Sequence, residues 1–214
     1  MKKHIRNILV ALMTLSLIML AGCGGGSSEE NEAPDTSQSE AAELISGEPI
    51  GIHHAEIAIK DYGTVTVELD GDTAPITVQN FMDLANAGFY DGLTFHRIID
   101  GFMIQGGDPN GNGTGGSDKN VVGEFVANGY ANDISHVKGV ISMARAQDPD
   151  SGSSQFFITV EDSPFLDGQY AAFGHVTEGQ DVVDKIAADA APLDDNGTIA
   201  PEDQPVIESI KIID

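Results

Sequence analysis

The stretch Phe95-His96-Arg97-Ile98-Ile99-Asp100-Gly101-Phe102-Met103-Ile104-Gln105-Gly106-Gly107-Asp108 constrains the fold of this chain more than any other. Asp-Gly between two apolar runs is a strong signal for a tight turn joining antiparallel strands. A hairpin here sets one cation, Arg97, beside an arm that offers Phe102, Met103 and Gln105. A guanidinium next to apolar side chains, with an amide at the edge, suits a neutral, apolar substrate with one polar bond to be handled. It suits a charged metabolite poorly.

The surrounding chain has the periodicity of short, half-buried strands. Ala55, Ile57 and Ile59 alternate with polar neighbours, as do Val65, Val67 and Leu69. Further strands are expected around 94–99, 102–106, 139–144, 155–160 and 171–176. In a closing strand Val206, Glu208, Ile210 and Ile212 alternate with Ile207, Ser209 and Lys211. Two helices are expected. One opens at Pro75, carries Val78, Phe81, Met82 and Ala85 at helical spacing, and ends at Gly88. The other covers about 179–188, with Val182, Val183 and Ile186 on one face. The stretch 192–205 reads as an irregular loop. Many short strands with two short helices predict a mainly β domain, a barrel capped by helices.

The first 50 residues read differently. Met1-Lys2-Lys3-His4-Ile5-Arg6 is a basic head, and Ile8 to Leu20 is an apolar run short of a comfortable membrane span. Leu20-Ala21-Gly22 then supplies the small residues of an export cleavage site, so 1–22 are expected to be a signal peptide. Cys23 follows directly and is the only cysteine of the chain, which excludes an intramolecular disulfide. Leu20-Ala21-Gly22-Cys23 resembles the bacterial lipobox. That resemblance implies acylation of Cys23 and an extracytoplasmic protein held to the cell membrane by lipid. Residues 23–50 are then the lipidated cysteine and a tether. From 24 to 50 there are seven acids and no base, a composition that cannot bury enough apolar surface to fold. The folded domain is expected over 51–214.

Charge removes several functions. Of 10 Lys and Arg, three precede Cys23, while all 34 Asp and Glu follow it. Seven bases against 34 acids leave −27 on the portion from Cys23 onward, with His counted neutral. Such a field repels nucleic acid and anionic headgroups, so no nucleic-acid partner is expected. Gly111-x-Gly113-x-x-Gly116 matches a dinucleotide fingerprint formally, but Asp108-Pro109 precedes it and no apolar-periodic helix follows. His53 and His54 are neighbours on a strand and point apart. His96 and His175 read as packed or hydrogen-bonded. Asp148-Pro149-Asp150-Ser151-Gly152 lacks the terminal Glu of a calcium loop. No metal and no cofactor is expected.

The hairpin and several later motifs, taken in order, closely resemble the cyclophilins, a family of peptidyl-prolyl cis-trans isomerases. They are the glycine-rich Gly111-Asn112-Gly113-Thr114-Gly115-Gly116, then Gly139-Val140-Ile141-Ser142-Met143-Ala144-Arg145-Ala146, then Ser154-Gln155-Phe156-Phe157-Ile158, then Phe165-Leu166-Asp167-Gly168 and Phe173-Gly174-His175-Val176. The similarity covers roughly residues 53–214. It implies a closed eight-stranded antiparallel barrel with two helices, acting on Pro-containing polypeptides and probed by cyclosporin. Arg97 would be catalytic. Phe102, Met103, Phe157, Phe165 and Leu166 would form the proline pocket. Gln105 and Gln155 would hydrogen-bond the peptide backbone, and Ala144 and Arg145 would pair with it. Of the adjacent Phe156 and Phe157, only one can face the pocket, and Phe156 is assigned to the core.

Three residues depart from the common family pattern. Phe165 stands where many members have Trp, Tyr170 where many have His, and Arg145 where a smaller amide is common. Phe165 has no indole N–H, so cyclosporin binding is expected to be weakened while catalysis survives. A monomer is expected.

Rotation about an Xaa-Pro bond needs no nucleophile, base or metal. Its barrier of about 18–20 kcal/mol is set by amide resonance. The twisted transition state has a less polar carbonyl and a lone pair on the prolyl nitrogen. An apolar pocket and a donor aimed at that nitrogen both favour it, and Arg97 is the donor the sequence offers. The leading expectation is an isomerase assisting the folding of exported proteins. The rival readings are a non-catalytic Pro-peptide-binding module and a surface interaction protein on the same scaffold.

Overall fold

The computed structural model describes residues 46–214. Cys23, the signal segment and all of the tether up to residue 45 lie outside the described residues. The fold takes hold just before residue 51, where Ile50 N donates to Gly71 O at 3.0 Å.

Eight strands form one antiparallel sheet. They are β1 (Ile52–Ile59), β2 (Gly63–Asp70), β3 (Thr94–Ile99), β4 (Met103–Asp108), β5 (Val140–Met143), β6 (Phe156–Thr159), β7 (Ala172–Glu178) and β8 (Ile207–Ile212), in the order β3-β4-β6-β5-β7-β2-β1-β8. The expected closed barrel is not what forms. β3 and β8 end the order, and the curled sheet stays open between them. Only one lip of the gap is spanned, by a bridge between Thr94 and Val206, with Phe95 N donating to Pro205 O at 2.9 Å and Ile207 N to Leu93 O at 2.8 Å. The reason lies in the 192–205 loop, which occupies the free edge of β3. Ile98 N donates to Gly197 O at 2.8 Å and Ile199 N to His96 O at 3.0 Å. Those backbone groups are unavailable to β8. A covered edge also presents no template for pairing with other chains.

Helix α1 (Pro75–Asn86) starts with Pro at its first turn and buries Val78, Phe81 and Ala85. Its N-cap, Ala74, has no side chain able to accept from the first amides. Glu124 does this from a distance in sequence. Its buried carboxylate accepts from Ile76 N at 3.1 Å and from Thr77 N and Thr77 Oγ1, both at 2.7 Å. An anion at a helix N-terminus is favoured by the unpaired amides and the helix dipole. Helix α2 (Gln180–Asp189) buries Val183 and Ile186, with Val182 partly covered.

The core is centred on Phe81, Tyr90, Phe95, Phe156 and Phe173, and Phe81 meets Tyr90, Phe156 and Phe173 at centroid separations of 5.3–5.6 Å. β8 departs from simple alternation. Ile207 and Ile210, three residues apart, are both buried, because the pairing with β1 shifts register between Ala58 and Ile59. A bulge of this kind resets which side chains face inward.

Candidate active site

Strand register sets the site. Arg97 on β3 is paired with Gln105 on β4, Gln105 with Phe157 on β6, and Phe157 with Ser142 on β5. Residues directly opposite one another share a face, so cation, amide and aromatic ring form one row across the sheet. The turn after β3 closes with Phe102 N donating to Ile99 O at 3.0 Å, and Gly101 has φ 75°, which favours glycine. Gly106 permits close approach of β4 to β3, because a Cβ there would meet Thr94 O at 2.8 Å.

A cavity of about 440 Å³ opens over this row. Met103, Phe157 and Leu166 form its buried apolar floor, packed by the partly buried Phe102, Ala144 and Tyr170. Phe165 also lines it but is 63% exposed, so it stands on the rim, its ring 5.4 Å from that of Phe102. Phe156 is fully buried on the other side of β6, against the aromatic core.

Arg97 is fixed by three contacts. Nε donates to Asn196 O at 2.8 Å, and Nη1 reaches Gln105 Oε1 at 3.2 Å and Met103 Sδ at 3.7 Å. Nη2 has no hydrogen-bond partner among the described residues, so a side chain that lines the cavity keeps two free N–H donors. Burial lowers the Arg97 pKa, opposed by Tyr170 and Asp194, and the group stays charged at neutral pH.

Gln155 does not line the cavity. Its amide oxygen accepts from Gln105 Nε2 at 2.9 Å, and its Nε2 donates to Gly115 O at 2.7 Å and Gly113 O at 3.3 Å. The glycine-rich loop therefore acts through Gln155 to orient Gln105, and through Gln105 to orient Arg97. Arg145 also lines the cavity, with Cζ 4.8 Å from the Tyr170 ring centre and 5.0 Å from that of Phe125.

Sequence reading passed over several contributors. Gln169 lines the cavity. Asn196 holds Arg97 from within the 192–205 loop through a backbone carbonyl, which carries no side-chain signature. His136 stacks on Phe157 at 6.0 Å with 16° between the ring planes. Its Nδ1 lies 2.9 Å from Asp167 Oδ1 and its Nε2 3.0 Å from Ser142 Oγ. Burial lowers the His136 pKa, outweighing Asp167. The neutral ring then donates to Asp167 and accepts from the Ser142 hydroxyl, and so props the floor of the pocket. Ser142 is fully buried and has no access to substrate. His96 turns away from Arg97 into the fold, and both its ring nitrogens are buried with no hydrogen-bond partner among the described residues. Burial lowers its pKa as well, with Asp108 opposing and Arg97 reinforcing the shift. Among the described residues no group of three His, Cys, Asp or Glu side chains is arranged to hold a metal ion.

The half-open antiparallel sheet thus carries an apolar pocket edged by two held guanidiniums, Arg97 and Arg145, a site with the shape and chemistry to receive a peptide segment. The family model described as Cyclophilin type peptidyl-prolyl cis-trans isomerase/CLD matches residues 54–212, and the chain belongs to that family. It is a peptidyl-prolyl cis-trans isomerase. Among relatives, Peptidyl-prolyl cis-trans isomerase-like 1 of Rhizopus delemar is 46% identical over 125 residues, which are 58% of this chain and 74% of that protein. Peptidyl-prolyl cis-trans isomerase B of Bacillus subtilis is 48% identical over 121 residues, 56% of this chain and 81% of that protein. The crystal structure of a Cryptosporidium parvum cyclophilin type peptidyl-prolyl cis-trans isomerase superposes with a TM-score of 0.67 at 31% identity, covering 76% of this chain and 98% of that one. A second structure of the parasite protein, in the presence of the dipeptide Ala-Pro, gives a TM-score of 0.66.

Proposed function

We propose that this chain rotates Xaa-Pro bonds of exported polypeptides from outside the cytoplasm, held to the membrane by an acylated Cys23. Arg97 supplies the donor and the Met103-Phe157-Leu166 floor takes the proline ring, with Phe102 and Phe165 at its edge. Gln105, Ala144, Arg145 and Tyr170 position the peptide. The observation that carries this reading is that Arg97, held through Nε and Nη1 and with Nη2 unpaired among the described residues, lines the same cavity as the buried apolar floor. A proline ring loses water on entering that floor in either isomer, so burial binds substrate. The guanidinium discriminates between planar and twisted amide. It stabilises the lone pair that appears on the prolyl nitrogen only when resonance is broken, and an interaction made only in the transition state raises kcat. Removing one preorganised donor of this kind costs about 2.7–4 kcal/mol in comparable water-poor sites.

Location rests on the basic head, the short apolar run and Leu20-Ala21-Gly22-Cys23. Stable anchoring takes two hydrophobic signals, and a cysteine carrying two or three acyl chains supplies them. The Cryptosporidium protein studied with Ala-Pro supports a proline-containing peptide as ligand. The test is refolding of a secreted protein whose slow phase is limited by proline isomerisation, on the scale of about 10–100 s uncatalysed. The purified chain is expected to shorten that phase in proportion to its concentration. An unchanged slow phase would refute the assignment.

A further inference from the structure

Building on the isomerase reading, we propose that Arg145 is a specificity-determining residue that selects Xaa-Pro segments carrying an acidic side chain within two residues of the proline. The cavity is lined by two arginines, Arg97 and Arg145, and by no Asp or Glu. In a chain with 34 acids and 10 bases this is a local reversal of sign. Neither guanidinium lies within 4.0 Å of a carboxylate among the described residues, so neither charge is neutralised by an ion pair.

The two are held for different tasks. Arg97 is directed at the cavity beside Gln105. Arg145 is clamped elsewhere in the cavity lining. Its Cζ lies 5.0 and 4.8 Å from the centres of the Phe125 and Tyr170 rings. Nε and Nη2 both donate to Gln169 O, at 3.0 and 2.8 Å, while Nη1 donates to Ala146 O at 2.8 Å and Gln147 O at 3.3 Å. Of its five N–H groups, one on Nη2 has no partner among the described residues. The neutral carbonyls fix the guanidinium without cancelling its charge. A preorganised cation loses little freedom when an anion docks, and charge-assisted hydrogen bonds are roughly twice as strong as neutral ones. The backbone N–H and C=O of Arg145 also take no backbone partner among the described residues. An extended segment can pair there and carry its side chain past the guanidinium.

The rest of the molecule argues the opposite way, which makes the inference discriminating. Net charge −24 attracts basic peptides and repels acidic ones at long range. At physiological ionic strength the screening length is about 8 Å, so distant acids fade while contact at Arg145 survives. Local contact and overall field therefore predict opposite preferences.

The experiment measures kcat/KM at ~0.15 M salt for matched peptides with Glu, Gln or Lys at each of the two positions on either side of one proline. At one or more positions the Glu peptide is expected to exceed the Lys peptide on the order of five- to tenfold, with Gln between. Arg145→Gln is expected to collapse that ratio toward one or reverse it, and Arg145→Lys to restore part of it. A residue that merely braced Tyr170 would lower all three peptides together and leave the ratio unchanged. Equal turnover of the Glu and Lys peptides, or faster turnover of Lys, overturns the inference even if the variants fail to fold. Failure to turn over even the Gln peptide would sink the isomerase reading itself.

Discussion

Arg97 and Gln105 face each other as direct partners across β3 and β4, and Nη1 of the arginine donates to the Gln105 amide oxygen at 3.2 Å. The bond lets Gln105 position Arg97, the cation proposed above as catalytic. Hydrogen bonds to charged groups contribute about 1.5–3 kcal/mol. Gln105→Ala is therefore expected to lower kcat/KM by roughly tenfold or more. The thermal midpoint should change little, because the Gln105 side chain is only partly buried. Unaltered steady-state kinetics in the variant would show that Arg97 needs no such support.

Phe165 stands on the rim with no donor to offer a ligand. If cyclosporin binds as the family resemblance implies, Phe165→Trp restores an indole N–H to a ligand carbonyl otherwise unpaired, worth about 1–3 kcal/mol. Titration calorimetry is expected to show binding tightened by roughly tenfold or more, with little change in turnover. Equal affinities for the two proteins would place residue 165 outside the ligand contact.

Two buried histidines give stability a defined pH dependence. The pKa values of His96 and His136 are both lowered by burial. The unfolded chain takes up protons near the ordinary histidine value of about 6.5 while the folded chain does not. Stability attached to these rings is fully present above that pH and falls as pH drops through it toward the folded values. Lower still, Asp108 and Asp167 contribute with the usual carboxylate sign. Burial opposes their ionisation, but hydrogen bonds outweigh it and lower both pKa values, so their stabilisation is lost on acidification. His96→Leu removes one titrating ring without leaving an unpaired polar group. Urea midpoints between pH 7.5 and 5 are expected to fall less steeply for the variant. Parallel slopes would mean that His96 is not held neutral.

Much of this molecule is written in its residue pattern. Asp100-Gly101 fixes the hairpin, and with it the facing of Arg97 and Gln105. Adjacent Phe156 and Phe157 must split between core and pocket because successive strand residues face opposite sides. Pro75 and Gly88 bracket the first helix. What escaped reading is long-range and carried by the backbone. The sheet stays open because carbonyls and amides of a loop more than 90 residues away take the edge of β3, and no side-chain periodicity encodes that. Asn196 holds Arg97 through a carbonyl, Glu124 caps α1 across 47 residues, and Gln155 works one residue removed from the cavity. His136 could have been suspected from its place between the Gly-rich and Ser142 segments, but only the fold brings Asp167 and Phe157 to it.

Anchoring is tested at Cys23. In cells, wild-type protein is expected in the membrane and detergent fractions, and Cys23→Ser in the medium or envelope fluid. The same partitioning for both would contradict the lipid anchor while leaving the isomerase untouched.

Arg97 is proposed to act on the twisted amide, and the apolar floor on both ground states. NMR exchange spectroscopy on an Xaa-Pro peptide, comparing wild type with Arg97→Ala, tests this most directly. Cis–trans exchange is expected to slow about 10²–10³-fold in the variant, with peptide affinity nearly intact. Arg97→Lys is expected to fail substantially as well, because an ammonium lacks the planar fork. Exchange at the wild-type rate in Arg97→Ala would rule out a catalytic role for this guanidinium.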